Sequence, residues 1–473
     1  MKKNILWLAV ALLTAFAGVS CSNEDILSEV PTPNPSKEVA ENIVTFTATL
    51  DAKGGSGMRA VNASGTTTWV ENEALLISYK NTSNSSVEAK ATVTSVDESG
   101  KATITASLVN PKDGSQVYFY YPYDSWCMSS TVDFASGQDG SLSKLSQYFD
   151  YATGDSEDSY YLSVSGGVAT LPSSINMVNQ NIIWKLSFTD GTNDITSSIT
   201  KLEIHASAGG TTDYTITPSP SRPITDYFYV AMGDLLNDDV VFTAHTSSGI
   251  YRRAKSNITL EIGKIYTTTG LALTKVEVGK VIGADGNIYA NAGAATTAGI
   301  SAVAKITYVG SDACEASDAP YNHGLALALG DVSGTTMTWC SQTDATCLGT
   351  GHQFGSEAGA KGDMAGIANT DALVNHTGHT HDAANAARGY NSGTHPAGTS
   401  AWFLPSAGQW YKMATAAGGY ANLKTNAGLQ GDPGYWSSTE YNASVAWEFN
   451  FSLGSWFSSS KSYTNLVRAC LAF

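Results

Sequence analysis

The chain has 473 residues and a formal net charge of -16, with only 14% of its residues charged. That length holds two or three domains with ample core. The acidic balance excludes the basic footprint that nucleic-acid binding needs, and it excludes electrostatic docking to anionic membranes.

Lys2 and Lys3, an apolar run over residues 5–17 and small residues before Cys21 read as an export signal over 1–20, too short for a stable membrane span. Gly-Val-Ser-Cys at 18–21 resembles a lipobox, with Gly18 where Leu is usual. The resemblance implies lipidation at Cys21; ordinary cleavage beside an incidental cysteine is the alternative. Ser22, Asn23, Glu24 and Asp25 resemble the surface-export signal of Bacteroidota lipoproteins. This implies a chain anchored in the outer membrane by lipid alone and exposed on the cell surface. Residues 21–42, with Pro31, Pro33 and Pro35, form a flexible tether.

Residues 43–273 read as mainly β, with clean apolar–polar alternation over 44–50. Further strands are expected at 74–79, 102–108, 117–121, 182–188, 201–205, 226–232, 240–245 and 258–262, with Gly, Asn, Ser and Asp clusters between them. No long amphipathic helix interrupts them, so tandem antiparallel β-sandwiches are expected, joined near 170–180. Val44-Thr45-Phe46, Met58-Arg59-Ala60, Trp69, Ile-Trp-Lys-Leu-Ser-Phe at 183–188 and Gly-Lys-Ile-Tyr at 263–266 resemble the fimbrillin-like proteins of Bacteroidota pili. Glu71-Asn72-Glu73 stands where relatives often have Gly-Asp after the Trp. The resemblance implies two alternatives for Arg59. It is either a processing site that frees a first strand, so that other pilus subunits add a donor strand to the open edge, or a loop residue.

From residue 274 the pattern changes. Residues 281–289 read as a strand, an Asp-Gly turn and a return strand, and 302–309 as another strand. His376, His379, His381 and His395 fall in a Gly- and Ala-rich loop region before or beside a helix at 382–388. The spacing does not put three of them on one helical face, so solvated or hydrogen-bonded histidines are expected, with no metal and no cofactor. Ser406 followed by Gln409 is a capping box for a second helix, with Trp410, Met413, Ala414 and Ala417 as its apolar stripe and Gly418-Gly419 as its end. With Cys21 assigned to the anchor, Cys127, Cys314, Cys340, Cys347 and Cys470 remain, an odd number without a zinc-type spacing. Cys340 and Cys347 would close a short loop and Cys314 or Cys470 would tie domain ends, or all are buried as small apolar residues.

In the last forty residues Trp447, Phe449 and Phe451 alternate with Glu448, Asn450 and Ser452, a strand with one buried face. Between the bulky anchors lie Tyr441, Asn442, Ser444, Val445, Asn450, Ser452, Leu453, Ser455, Phe457, Ser458, Ser459, Ser460, Ser462, Tyr463, Asn465 and Leu466, a Ser-, Tyr- and Asn-rich set resembling a paratope. These are the expected ligand-binding residues. Trp-Phe-Leu-Pro-Ser at 402–406, Gln409-Trp410, Tyr-Trp-Ser-Ser-Thr-Glu at 435–440 and Val-Arg-Ala-Cys-Leu-Ala-Phe at 467–473 resemble the C-type lectin-like domains of variable proteins diversified by retroelements in gut Bacteroidota. The resemblance implies an α+β lectin-like domain over 274–473. It also implies a variable face at 434–473 whose positions derive from randomised Asn codons; the types these reach include Tyr, Ser, Phe, Leu, Val and Asn but not Lys, Trp, Gln, Met or Glu. Glu448 breaks that rule and is expected to point outward without being diversified.

The expected function is that of a lipid-anchored adhesin or receptor-binding protein, a pilus tip or an accessory subunit. Its partner would be a protein or glycan on another cell, a phage or a host surface. A purely structural pilus subunit is the alternative. The formylglycine-generating enzymes share a related architecture, but no acid–base pair or Ser-His-Asp order is present, and catalysis is not expected. Glu440 and Glu448 are the carboxylates between 434 and 473. That is too few for a calcium-dependent sugar site, so metal-independent binding, mainly to protein, is expected.

Overall fold

The computed structural model describes residues 41–51, 69–123, 134–149, 151–155, 159–206, 212–318, 321–341, 346–348 and 352–473. Cys21, Arg59 and Cys127 lie outside them. Ile43–Phe473 forms one compact unit, and no described helix is long and apolar enough to cross a membrane.

The N-terminal half is mainly β. Ile43–Leu50 alternates exposed and buried residue by residue. It pairs antiparallel with Ala102–Val109 and parallel with Val168–Thr170. Val44, Phe46 and Leu50 join Leu75, Ile77, Ile104, Phe119 and Ile175 in one core. A second core lies between two sheets. Three strands, Phe228–Met232, Ile182–Thr189 and Ile265–Ala272, supply Trp184 and Phe188. Five others, among them Ile199–Ala206 and Leu235–Thr246, supply Ile204 and Phe242. Trp184 and Phe242 meet edge to face at 5.3 Å.

Among the departures from the sequence reading are three in pairing and pattern. Two pairings are parallel, the one above and Ile182–Thr189 with Ile265–Ala272. The strand Ser86–Val96 carries Glu88 and Lys90 and buries only Ala91 and Val93, so it lacks the apolar alternation that would reveal it. Gly249–Leu260 was anticipated only at its end, because Arg252 and Arg253 break its pattern.

Arg252 explains itself structurally. It is buried, and its Nη2 donates to the carbonyls of Ala397 and Gly398 at 3.1 and 2.6 Å, tying the second sheet pair to the C-terminal region. Nearby, Glu203 accepts from His245 at 2.6 Å and contacts His323 Nε2 at 3.0 Å, and the Ala254 N–H donates to Asn287 Oδ1 at 2.9 Å. Gly286 has φ +77, and a Cβ there would meet the Ala397 carbonyl at 2.9 Å and Ala254 at 3.0 Å. The Asp-Gly turn therefore doubles as a docking point.

The C-terminal region is α+β. Val281–Gly283 and Ile288–Tyr289 form the expected hairpin, extended by Ala302–Val309, Gly324–Ala328 and finally Cys470–Ala472. The last strand thus returns to the sheet that opens the region. Helix Asp382–Arg388 and helix Ala407–Ala416 lie where the sequence placed them. Ser406 Oγ accepts from the Gln409 N–H, and Gln409 accepts from the Ser406 N–H at 3.0 Å. Helices Gly366–Val374 and Tyr420–Ala427 were not anticipated; the first buries the polar Asn369 and Thr370, and the second buries only Leu423 and Ala427, so neither shows an apolar stripe.

Candidate recognition edge

A three-stranded antiparallel sheet carries the segment of interest: Tyr435–Glu440, Val445–Asn450 in the middle and Ser455–Ser460 at one edge. Directly opposed residues share a face. Phe449 opposes Trp456, and their rings lie 5.1 Å apart on the face that packs on Trp410, Met413 and Tyr420. Trp447 lies on that face, and Phe451 joins the same core from the turn that follows. This is the buried trio the alternation predicts.

The opposite face is not free. Ala446 and Trp436 belong to the core around Trp339 and Leu471. Glu448 is half-buried, accepts from Ser459 Oγ at 2.6 Å and approaches Gly434 so closely that a Cβ there would lie 2.6 Å from its Oε2. The expectation that Glu448 points outward is thus corrected. Burial raises its carboxyl above the ordinary range although the Ser459 hydroxyl opposes this.

Exposure is sorted by strand position, not by parity. Tyr435–Glu440 is buried throughout, Val445–Asn450 is buried or half-buried, and Ser455–Ser460 is exposed except at Trp456, Ser459 and Ser460. The edge strand pairs on one side only among the described residues. Phe457 is 39% exposed on it, while Leu453 at 66% and Tyr463 at 65% stand on the flanking turns.

Of the expected binding residues, Asn442, Ser452, Leu453, Ser455, Phe457, Ser458, Ser462 and Tyr463 are exposed, and Tyr441, Ser444, Val445, Asn450, Ser459 and Ser460 are half-buried. Asn465 and Leu466 are corrected from contacts to scaffold. They are 6% and 3% exposed, because Asn465 pairs with Met337 and Leu466 bridges Tyr435. The strand also ends at Asn450 rather than continuing through Phe451 and Ser452 as the alternation suggests. Asn450 Oδ1 accepts from the N–H groups of Ser452 and Leu453, both at 3.0 Å, and turns the chain there. Asn442 Oδ1 does the same for Ser444 and Val445 at 2.8 and 3.1 Å. Both amides hold turns as well as facing solvent.

Two buried ion pairs that the sequence reading missed fix this frame. The Lys461 ammonium pairs with Glu440, both side chains fully out of solvent, and donates to the Ala443 carbonyl at 2.8 Å. Glu440 also accepts from the Cys347 and Leu348 N–H groups at 3.0 and 3.1 Å. Arg468 donates to Asp331 at 2.7 Å and to the Ala328 carbonyl at 2.9 Å. Tyr435 donates to the same Asp331 at 3.0 Å; burial pushes its phenol up to about 12, so it stays a neutral donor. The one available signal was a lysine alone in a Ser-rich run.

The histidine expectation is corrected at His381. His395 Nδ1 lies 3.3 Å from Thr399 Oγ1, but His381 is fully buried and neither of its ring nitrogens has a hydrogen-bond partner among the described residues. Cys314 and Cys470 are buried thiols that tie no domain ends. Burial raises the Cys470 thiol well above its ordinary range, which makes it inert rather than nucleophilic.

No protein-family model matches the chain, and no curated protein matches it. Among solved structures it is similar to a fimbrial protein from Bacteroides ovatus, at 15% identity over 92% of this chain and 100% of that one, with a TM-score of 0.39. It is also similar to the tip fimbrial protein Mfa3 from Porphyromonas gingivalis, at 10% identity over 48% of this chain and 95% of that one, with a TM-score of 0.25.

Proposed function

We propose that this chain is a non-enzymatic cell-surface adhesin whose C-terminal lectin-like domain presents a replaceable recognition edge on a rigid frame. The fimbrillin-like β region would carry that domain away from a lipid-anchored N-terminus. One observation carries the reading. Between residues 441 and 463, the types that a randomised Asn codon cannot yield are Trp447, Glu448, Trp456 and Lys461, and all four are buried or half-buried. The exposed Asn442, Ser452, Leu453, Ser455, Phe457, Ser458, Ser462 and Tyr463 are all types that it can yield. Substitution at the edge would thus change contacts without touching the core.

Phe457, Tyr463 and Leu453 would be the anchors and the serines adaptable polar contacts. Glu440 is consumed by Lys461, and Glu448 is half-buried with one oxygen on the Ser459 hydroxyl, which supports recognition without calcium and favours a protein ligand. The gene's neighbourhood tests the diversification. It should hold a near-copy of the codons for the last forty or so residues, with Asn at the exposed positions, and a reverse transcriptase. A genome with neither would leave an undiversified pilus subunit as the better reading.

A further inference from the structure

Beneath the recognition edge lies a group of side chains that the proposed binding does not use. We propose that Cys340, Cys347 and His381 hold a buried Zn2+ ion that clamps together the loops supporting the edge.

The three residues come from separate stretches, and the fold delivers them to one point. Cys340 follows the short strand Met337–Thr338, and its N–H donates to the Lys461 carbonyl at 3.3 Å. The Cys347 N–H is held by Glu440 at 3.0 Å. Ser341 and Thr380 exchange two hydrogen bonds, N–H to carbonyl at 2.8 Å and N–H to Oγ at 3.0 Å, which brings the next residue, His381, beside the thiols. One ligand atom from each of the three lies within 4.8 Å of both others, and all three residues are buried.

The spacing suits a tetrahedral ion. With Zn–S bonds of about 2.3 Å, two thiolates on one Zn2+ stand about 3.8 Å apart. The Cys340 and Cys347 sulfurs are 3.9 Å apart. The imidazole supplies the second observation. Among the described residues neither nitrogen of the fully buried His381 has a hydrogen-bond partner, a costly arrangement, and a metal bond would satisfy one nitrogen. A disulfide between the cysteines would leave it as it stands. His376 is a further donor beside the site: its ring centroid lies 5.2 Å from that of His381, and its Nδ1 is likewise buried without a hydrogen-bond partner among the described residues.

Two thiolates and an imidazole form a soft set that selects Zn2+ over Ca2+ or Mg2+. Binding displaces two thiol protons to solvent, and the two thiolates neutralise the ion. The Lys461 ammonium, 3.8 Å from the Cys347 sulfur, then donates to a thiolate. Through Lys461 the ion would brace both the turn after the edge strand and the loop at Ala443.

The test uses the full chain, purified without chelator and freed of any histidine tag. Elemental analysis should find about one Zn2+ per chain. Exchange for Co2+ should give the visible bands of a tetrahedral thiolate site. Cys340 and Cys347 should resist alkylation until a chelator is added. Cys340→Ser and His381→Asn should lose the ion, while His395→Asn keeps it. If a variant fails to fold, the Co2+ spectrum of the unaltered chain still decides. A 340–347 disulfide in metal-free protein would overturn the proposal, as would Zn2+ retained in full by His381→Asn.

Discussion

Lys461 and Glu440 form an ion pair from which solvent is wholly excluded, at the base of a segment otherwise built of serines and aromatics. The pair is not isolated. Lys461 also lies over the Trp339 ring at 5.0 Å and Glu440 accepts from Gln353 at 3.0 Å. Removing one partner leaves the other charged, buried and only partly satisfied. Lys461→Met should therefore cost about 3–5 kcal/mol, as expected for one half of a buried pair. Urea unfolding measures this, and a loss under about 1 kcal/mol would place Lys461 among ordinary surface residues.

Phe449 and Phe457 separate frame from edge. Phe449 is fully buried and stacks on Tyr420 with centroids 3.7 Å apart, whereas Phe457 is 39% exposed. Phe449→Ala should cost about 3–5 kcal/mol. Phe457→Ala should stay within about 1 kcal/mol in thermal unfolding while weakening ligand capture. Equal losses at the two positions would mean that Phe457 is core.

The frame was legible where its signal is local. Period-2 alternation at 447–451 marks Trp447, Phe449 and Phe451 as inward, and Ser406 with Gln409 marks a helix start, because neighbouring residues decide both. Asn465 and Leu466 look like the serines and aromatics before them, yet they are buried by pairing with Met337 and Tyr435. The outward face of the middle strand failed for the same reason, since Ala446 is covered by a core assembled around Trp339. Such long-range pairings leave no mark within the segment, and the meeting of Cys340, Cys347 and His381 is a further case.

Asn450 should behave as a turn former. Its Oδ1 holds two N–H groups and its Nδ2 donates to Asp432 at 3.1 Å. Asn450→Ala should lower stability by about 1–2 kcal/mol, whereas Ser455→Ala should stay within about 0.5 kcal/mol. Denaturant midpoints of the two variants, compared side by side, check this. A larger loss for Ser455→Ala would contradict it.

Glu448 should make stability fall as pH rises. Burial holds its carboxyl above the ordinary range in the folded chain despite the Ser459 bond. A raised folded value means that the folded state retains the proton longer than the unfolded state. The stabilisation is complete below the ordinary carboxylate pKa and is lost as pH climbs through the raised value. Glu448→Gln removes this dependence, so its advantage over the unaltered chain should be small near about pH 4 and larger near about pH 8. Urea midpoints at both pH values test the sign, and an advantage that shrinks with pH would reverse it.

A displayed library tests the division between frame and edge most directly. One pool randomises Ser452, Leu453, Ser455, Phe457, Ser458, Ser462 and Tyr463; a second randomises Trp447, Phe449, Trp456 and Lys461. Resistance to a protease reports folding in each member, because cleavage follows the population of opened chains. Most members of the first pool should remain resistant, and nearly all members of the second should be cut. Comparable survival of the two pools, or collapse of the first, would contradict a replaceable edge on a fixed frame.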